Sequence, residues 1–443
     1  MTARLLLTLA VAAAASCVPE RGRDDVTMLR FWGMGREGEV VAELMAGFHD
    51  ENPDIRVHVQ QIPWTAAHEK LLTAYVGGAM PDVAQLGNTW VPEFAAIRAL
   101  ASLDPWIARS RDLSPDDYFE GIWSTNVVAD TVWGVPWYVD TRVIFYRTDL
   151  LARAGYDSIP QSWDGWVEAM HALKRVMGSD RYPIFLPTNE WAQPAIFGLQ
   201  NGSTLLADGG TRGAFSEPPF REAFEFYLSL YRAGLAPPMG QYDVANPFQE
   251  FSRGFFAMWI TGPWNLGEFK RRLPADEQDT WSTAPMPGPT GPASGVSLAG
   301  GASLVMYRDT RHPESAWKLI EYLSRPEQQQ RFYELTGSLP ARMDAWHATE
   351  LATAPQTQAF WEQLQRVEPL PAVPEIESIV SRVIEYAELS IRGGTPAADA
   401  LAGLDRDTDR ILEKRRWMLA RNGRGPGNAA PVNDRPGLPP EIP

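Results

Sequence analysis

The chain has 443 residues, 44% of them apolar, and a formal charge of −15. That length calls for two lobes rather than one small domain, and the acidic balance argues against nucleic acid or an anionic membrane surface as the main partner. A single cysteine excludes an internal disulfide and a cysteine-based metal site, while seventeen tryptophans suit a site that stacks on flat apolar faces.

Arg4 is the only charge in the first sixteen residues, and an apolar run follows from Leu5 to Ala15, broken only by Thr8. Eleven residues match a signal-peptide core and are too few for a membrane-spanning helix. The run leads through Ala14-Ala15-Ser16 into Cys17, which resembles the lipobox of bacterial lipoproteins, in which the cysteine is lipidated. Ala14 departs from the Leu usual three places before that cysteine. A secretory peptide cut nearby, with Cys17 discarded, is the alternative.

An α/β rhythm begins after a polar tether. Met28 to Trp32 reads as a buried strand. Val40, Val41, Leu44, Met45 and Phe48 share one helical face, and Asn52-Pro53 stops that helix. Ile55, Val57 and Val59 alternate with polar residues as a half-buried strand. Trp64 to Val76 is a second helix, ended by Gly77-Gly78, and Pro81 to Leu86 a third strand. Strands alternating with helices predict parallel sheet. From Val132 the chain is strand-rich. Helices follow at Asp149–Ala154, from Ser162 to Val176 and from Arg221 to Ala233, with strands at Pro183–Leu186, Gly254–Ile260 and Ser303–Tyr307. Long helices are predicted near 375–391 and 396–420. The tail, 422–443, lacks periodicity and is expected to be disordered.

Five segments, in order, resemble the carbohydrate-type extracellular solute-binding proteins of ABC importers, a family that includes maltose- and trehalose-binding proteins. They are LRFWGMGREGE (29–39), VWGVPWYVDTRVIFYRTD (132–149), PQSWDGW (160–166), GFFAMWITGPW (254–264) and a stretch from 299 that ends in GSLPAR (337–342). The resemblance implies an α/β, two-lobed periplasmic-binding-protein fold with a hinge and an interlobe ligand cleft. It implies a sugar as ligand, ABC permease subunits as partners, no cofactor, and an extracytoplasmic, monomeric receptor held to the membrane by lipid at Cys17. The expected boundaries are a signal peptide at 1–16, a tether at 17–27, a first lobe of 28–139 with 301–337, and a second lobe of 140–300 with 338–421.

A neutral sugar offers hydroxyls, best bound by charged partners, and C–H faces that pack on aromatic rings. Asp140 matches the family's acid at the first lobe crossing, and Tyr138 lies two residues earlier on the same strand face. Trp264 matches the stacking residue of Gly-Pro-Trp. Glu190 and Trp191 follow a strand and resemble a ligand loop, as do Asn88 and Thr89 after the third strand. Arg36 and Glu37 stand in the first loop, where a surface pair at a helix N-terminus is the plainer reading. Trp64 is a candidate lid aromatic. Gly300 and Gly301 sit at a hinge where the family makes a backbone contact, and Arg342 matches an arginine of trehalose and maltose binders. Two other readings stand: a non-sugar solute such as a glycerophosphodiester or polyamine, and a secreted glycoside hydrolase using Asp140 and Glu190 as its carboxylate pair.

Overall fold

The computed structural model describes residues 26–347, 351 and 353–421. The expected signal peptide, Cys17 and the tail lie outside the described residues.

The α/β rhythm builds two sheets. In the first, the strand order is Leu339–Pro340, Val135–Asp140, Gly300–Met306, Val83–Gly87, Thr27–Met34 and Ile55–Ile62. Helix Gly35–Glu51 buries Val40, Val41, Leu44, Met45 and Phe48, the face that the 3.6-residue spacing singles out. The second sheet runs Trp281–Ala284, Val143–Arg147, Phe256–Thr261 and Tyr182–Phe185. Helix Trp163–Met177 packs on this lobe, started by Ser162, whose hydroxyl accepts from the Gly165 amide.

Neither sheet is purely parallel. Thr27–Met34 runs parallel to both neighbours, but Gly300–Met306 is antiparallel to Val83–Gly87 and to Val135–Asp140. The cause is the chain path: this strand enters the first sheet from the second lobe, so it runs against strands wound within the first. Alternation of elements along the sequence does not record that re-entry.

The crossings form the hinge. Val135–Asp140 ends in the first sheet and Val143–Arg147 starts in the second, so the first passage is Thr141-Arg142. The return passes Ser297–Leu298, which pairs with Val367–Glu368. The buried Ser297 hydroxyl ties the two passages, donating to the Arg142 carbonyl at 2.8 Å and accepting from the Arg142 amide at 3.2 Å. The last passage lies later than the expected position 338, because Leu339 and Pro340 still pair with Val139 and Tyr138 in the first sheet. The predicted helix at 396–420 divides into Ala397–Ile411 and Glu413–Arg421.

Candidate functional site

A cleft of about 580 Å³ opens between the sheets, at the carboxyl ends of Thr27–Met34, Val83–Gly87 and Val135–Asp140. Its size falls in the range of roughly 300–1,000 Å³ usual for small-molecule sites. Arg36, Glu37, Trp64, Asn88, Thr89, Tyr138, Asp140, Trp191, Trp264, Gly300 and Gly301 all line it.

The hinge strand supplies the floor. Tyr138 is buried, and its hydroxyl accepts from Gln85 Nε2 at 3.0 Å. Burial pushes this phenol well above its ordinary range, and the carboxylates of Glu37 and Asp140 add to the rise. Two acids from different elements therefore flank one tyrosine. Asp140 Oδ1 accepts from Arg142 Nη1 at 2.9 Å, and the Arg142 guanidinium lies over the Trp264 ring at 4.5 Å from its centroid. Trp264 is 49% exposed, unusual for so large an apolar ring. It folds back on Gly262, where a Cβ would sit 2.0 Å from the ring, so only glycine admits this placement. On the facing wall, Trp64 and Trp90 meet edge-on at 5.7 Å. Asn88 Nδ2 donates to the Ala299 carbonyl at 3.0 Å and braces the hinge. Thr89 donates to Glu377 of the second lobe, so the lobes touch beside the cleft.

The profile of the bacterial extracellular solute-binding protein family matches residues 34–330. The chain belongs to that family. The sugar-binding protein MalE of the phytopathogen Xanthomonas citri superposes on this solute-binding protein with a TM-score of 0.87 and 47% identity, over 89% of this chain and 100% of that one. The diacetylchitobiose-binding protein DasA of Streptomyces coelicolor is 23% identical over 75% of this chain and 78% of its own. A Streptomyces antibioticus protein described as a lipoprotein is 27% identical over 90% of this chain and 88% of its own.

Two expected site residues of this solute-binding protein stand elsewhere. Glu190 is absent from the cleft wall; its Oε1 accepts from the Ala192 amide at 3.2 Å at the start of helix Ala192–Gln200, and its charge acts on the buried Tyr227 of the second lobe. Of the two carboxylates read as a hydrolase pair, Asp140 lines the cleft and Glu190 does not. Arg342 is 6% exposed and holds the first lobe together. It donates to Asp344 through Nε at 3.1 Å and Nη2 at 2.8 Å, to the Asp112 carbonyl at 2.7 Å, and pairs with Asp117 at 3.3 Å. We expect Arg342→Ala to lower stability by roughly 1–3 kcal/mol, since buried partners lose a charged donor, with solute affinity unchanged. Urea unfolding and calorimetry check both halves, and a loss of affinity at intact stability would return Arg342 to the site.

The cleft also uses residues that the sequence reading passed over. Arg142, Glu268, Arg271 and Ser338 line it. Trp264, Glu268 and Arg271 fall on one face of helix Trp264–Arg272 at spacings of four and three, a signal that was available once Trp264 was singled out. Ser338 has no local signature; it reaches Glu37 Oε1 at 3.3 Å from the far end of the first lobe.

Glu37 gives the cleft a pH dependence. Burial is the largest influence on its carboxyl and pushes it above the ordinary 4.5, against hydrogen bonds from the backbone, Trp64 and Ser338. The folded state then holds this proton to higher pH than the unfolded chain. Its contribution to stability is full below about 4.5 and is lost as pH rises through the folded value. Glu37→Gln should therefore raise the melting temperature most at neutral pH, the gain shrinking as pH falls towards 4.5. A pH-independent difference between variant and wild type would contradict this origin.

Proposed function

We propose that this solute-binding protein captures a neutral sugar, a di- or oligosaccharide such as trehalose or maltose, and delivers it to the permease of an ABC importer. The observation that carries the reading is the company Trp264 keeps: an exposed ring beside Asp140, Glu37 and the Tyr138 hydroxyl, in one cleft between two hinged lobes. A ring face takes the C–H side of a pyranose, and the carboxylates accept from its hydroxyls.

The charge arrangement favours a neutral solute over the alternatives. Each cation on the cleft wall already has an acid: Arg36 with Glu39 at 3.0 Å, Arg142 with Asp140, and Arg271 with Glu268. A phosphodiester would have to break one of these pairs. A polyamine would need free carboxylates, whereas Asp140 and Glu268 are paired with Arg142 and Arg271. The sugar bound to one lobe gains contacts when the other closes, so it shifts the open–closed balance towards a form that docks on the permease. Lipid at Cys17 would hold the protein outside the cytoplasmic membrane, close to that permease.

A thermal-shift screen across sugars, polyamines and glycerophosphodiesters tests the reading. A sugar at a hundred times its Kd should add about 2.7 kcal/mol of stability and change tryptophan fluorescence. A shift with a charged solute and with no sugar would overturn it, and cleavage of the sugar during incubation would point to hydrolysis instead.

A further inference from the structure

The ring that a sugar would stack on already carries an occupant. The Arg142 guanidinium lies over Trp264, 4.5 Å from the ring centroid, where a stacked pyranose would lie. The six-membered end of the ring rests on Gly262, so the protein backbone closes that part. Arg142 stands in the first passage between the lobes. It reaches Asp140 at the end of a first-sheet strand and Trp264 at the start of a helix that follows a second-sheet strand. Its side chain therefore bridges the two lobes across the floor of the cleft.

The guanidinium is held lightly. Nη1 donates to Asp140 Oδ1 at 2.9 Å, and among the described residues this is the one side-chain hydrogen bond that Arg142 makes. Arg342, in contrast, donates twice to Asp344 and once to the Asp112 carbonyl. A cation over a partly exposed ring gains only a modest attraction, so a solute that covers the ring better can displace it. The backbone of Arg142 is fixed independently, since its amide and carbonyl both bond the Ser297 hydroxyl. The side chain can leave the ring without loosening that tie.

We infer that Arg142 is a built-in competitor of the solute: it covers the Trp264 ring in the empty receptor, and the sugar binds by pushing the guanidinium aside. The inference rests on the sugar reading above and adds the regulation of that same site. Apparent affinity is the intrinsic affinity reduced by the fraction of receptor whose ring is uncovered. Arg142 also sets specificity. A solute that offers no flat C–H face gains nothing from the ring and leaves it covered, so small polar solutes that reach only Asp140 are rejected.

The test is titration calorimetry with stopped-flow tryptophan fluorescence on the wild type, Arg142→Ala and Arg142→Lys. The probes are trehalose, maltose, maltotriose and diacetylchitobiose. Arg142→Ala should bind the accepted sugar roughly three- to tenfold more tightly than the wild type, and the gain should lie in the association rate. Lysine keeps a charge beside Asp140 but lacks the planar group, so Arg142→Lys should gain about two- to threefold. It carries the test if the alanine variant fails to fold. A residue that only supported the fold would leave the association rate unchanged, and one that donated to sugar hydroxyls would give weaker binding through faster dissociation. Affinity equal to or below wild type in the folded variants would therefore overturn the inference and leave the sugar reading intact. So would a crystal of the sugar complex with Arg142 still over the ring. Failure of all four sugars to bind the wild type would overturn that reading and this inference together.

Discussion

Trp264→Ala should weaken sugar binding at least tenfold, a loss of about 1.4 kcal/mol or more, with little change in the stability of the ligand-free protein. The ring is half exposed before any ligand arrives, so its removal uncovers little core. In the complex it provides a broad apolar plane, and burying such a face is worth about 25 cal/mol per Å². Alanine also frees the Arg142 guanidinium from the ring, leaving a mobile cation where the sugar should lie. Asp140→Ala should weaken binding by a similar factor for a different reason: it removes an acceptor and leaves Arg142 without its acid. Calorimetric affinities within twofold of wild type for both variants would mean that the sugar binds elsewhere.

Gly301→Ala should be the most disruptive single change at the hinge. Gly301 has φ of 130°, a region that side chains with a Cβ avoid. A Cβ there would lie 2.2 Å from the Tyr138 carbonyl oxygen, on the strand that carries Tyr138 and Asp140 into the cleft. Relief requires the two hinge strands to part. Backbone strain of this kind costs about 1–3 kcal/mol and overpacking a similar amount, so a loss of at least about 2 kcal/mol in stability is expected. Sugar affinity should fall as well, since the cleft floor shifts with the strand. An unchanged urea midpoint together with unchanged affinity would show that the strands absorb the methyl group without moving.

What the sequence disclosed and what it withheld follow from the range of the interactions. Val40, Val41, Leu44, Met45 and Phe48 declare their helix because an amphipathic face repeats locally, and Ser162 marks a helix start because its cap bond spans three residues. Helix Ala192–Gln200 is buried on every side and carries Pro194, so it has no polar stripe to reveal it. The antiparallel course of Gly300–Met306 depends on where the chain re-enters the first sheet. Arg342 was singled out by its match to an arginine of trehalose and maltose binders, and no local pattern shows its structural role because its partner Asp117 lies far back in the chain. Glu190 sat next to Trp191, which does line the cleft, yet the start of the helix turns the acid towards its own amides. Tyr138 was legible because it shares the strand face of Asp140, which was itself legible through its match to the family's acid at the first lobe crossing. Arg142, two residues on and past the crossing, answers to Trp264 on another element, a contact no local pattern encodes.

The central claim is that the interlobe cleft holds a sugar between Trp264 and the acids that flank Tyr138. A crystal structure grown with the sugar that gives the largest thermal shift tests it most directly. The account predicts a pyranose ring on the Trp264 face, with hydroxyls within hydrogen-bond reach of Asp140 and Glu37. Sugar density at any other place, with the cleft unaltered, would contradict it.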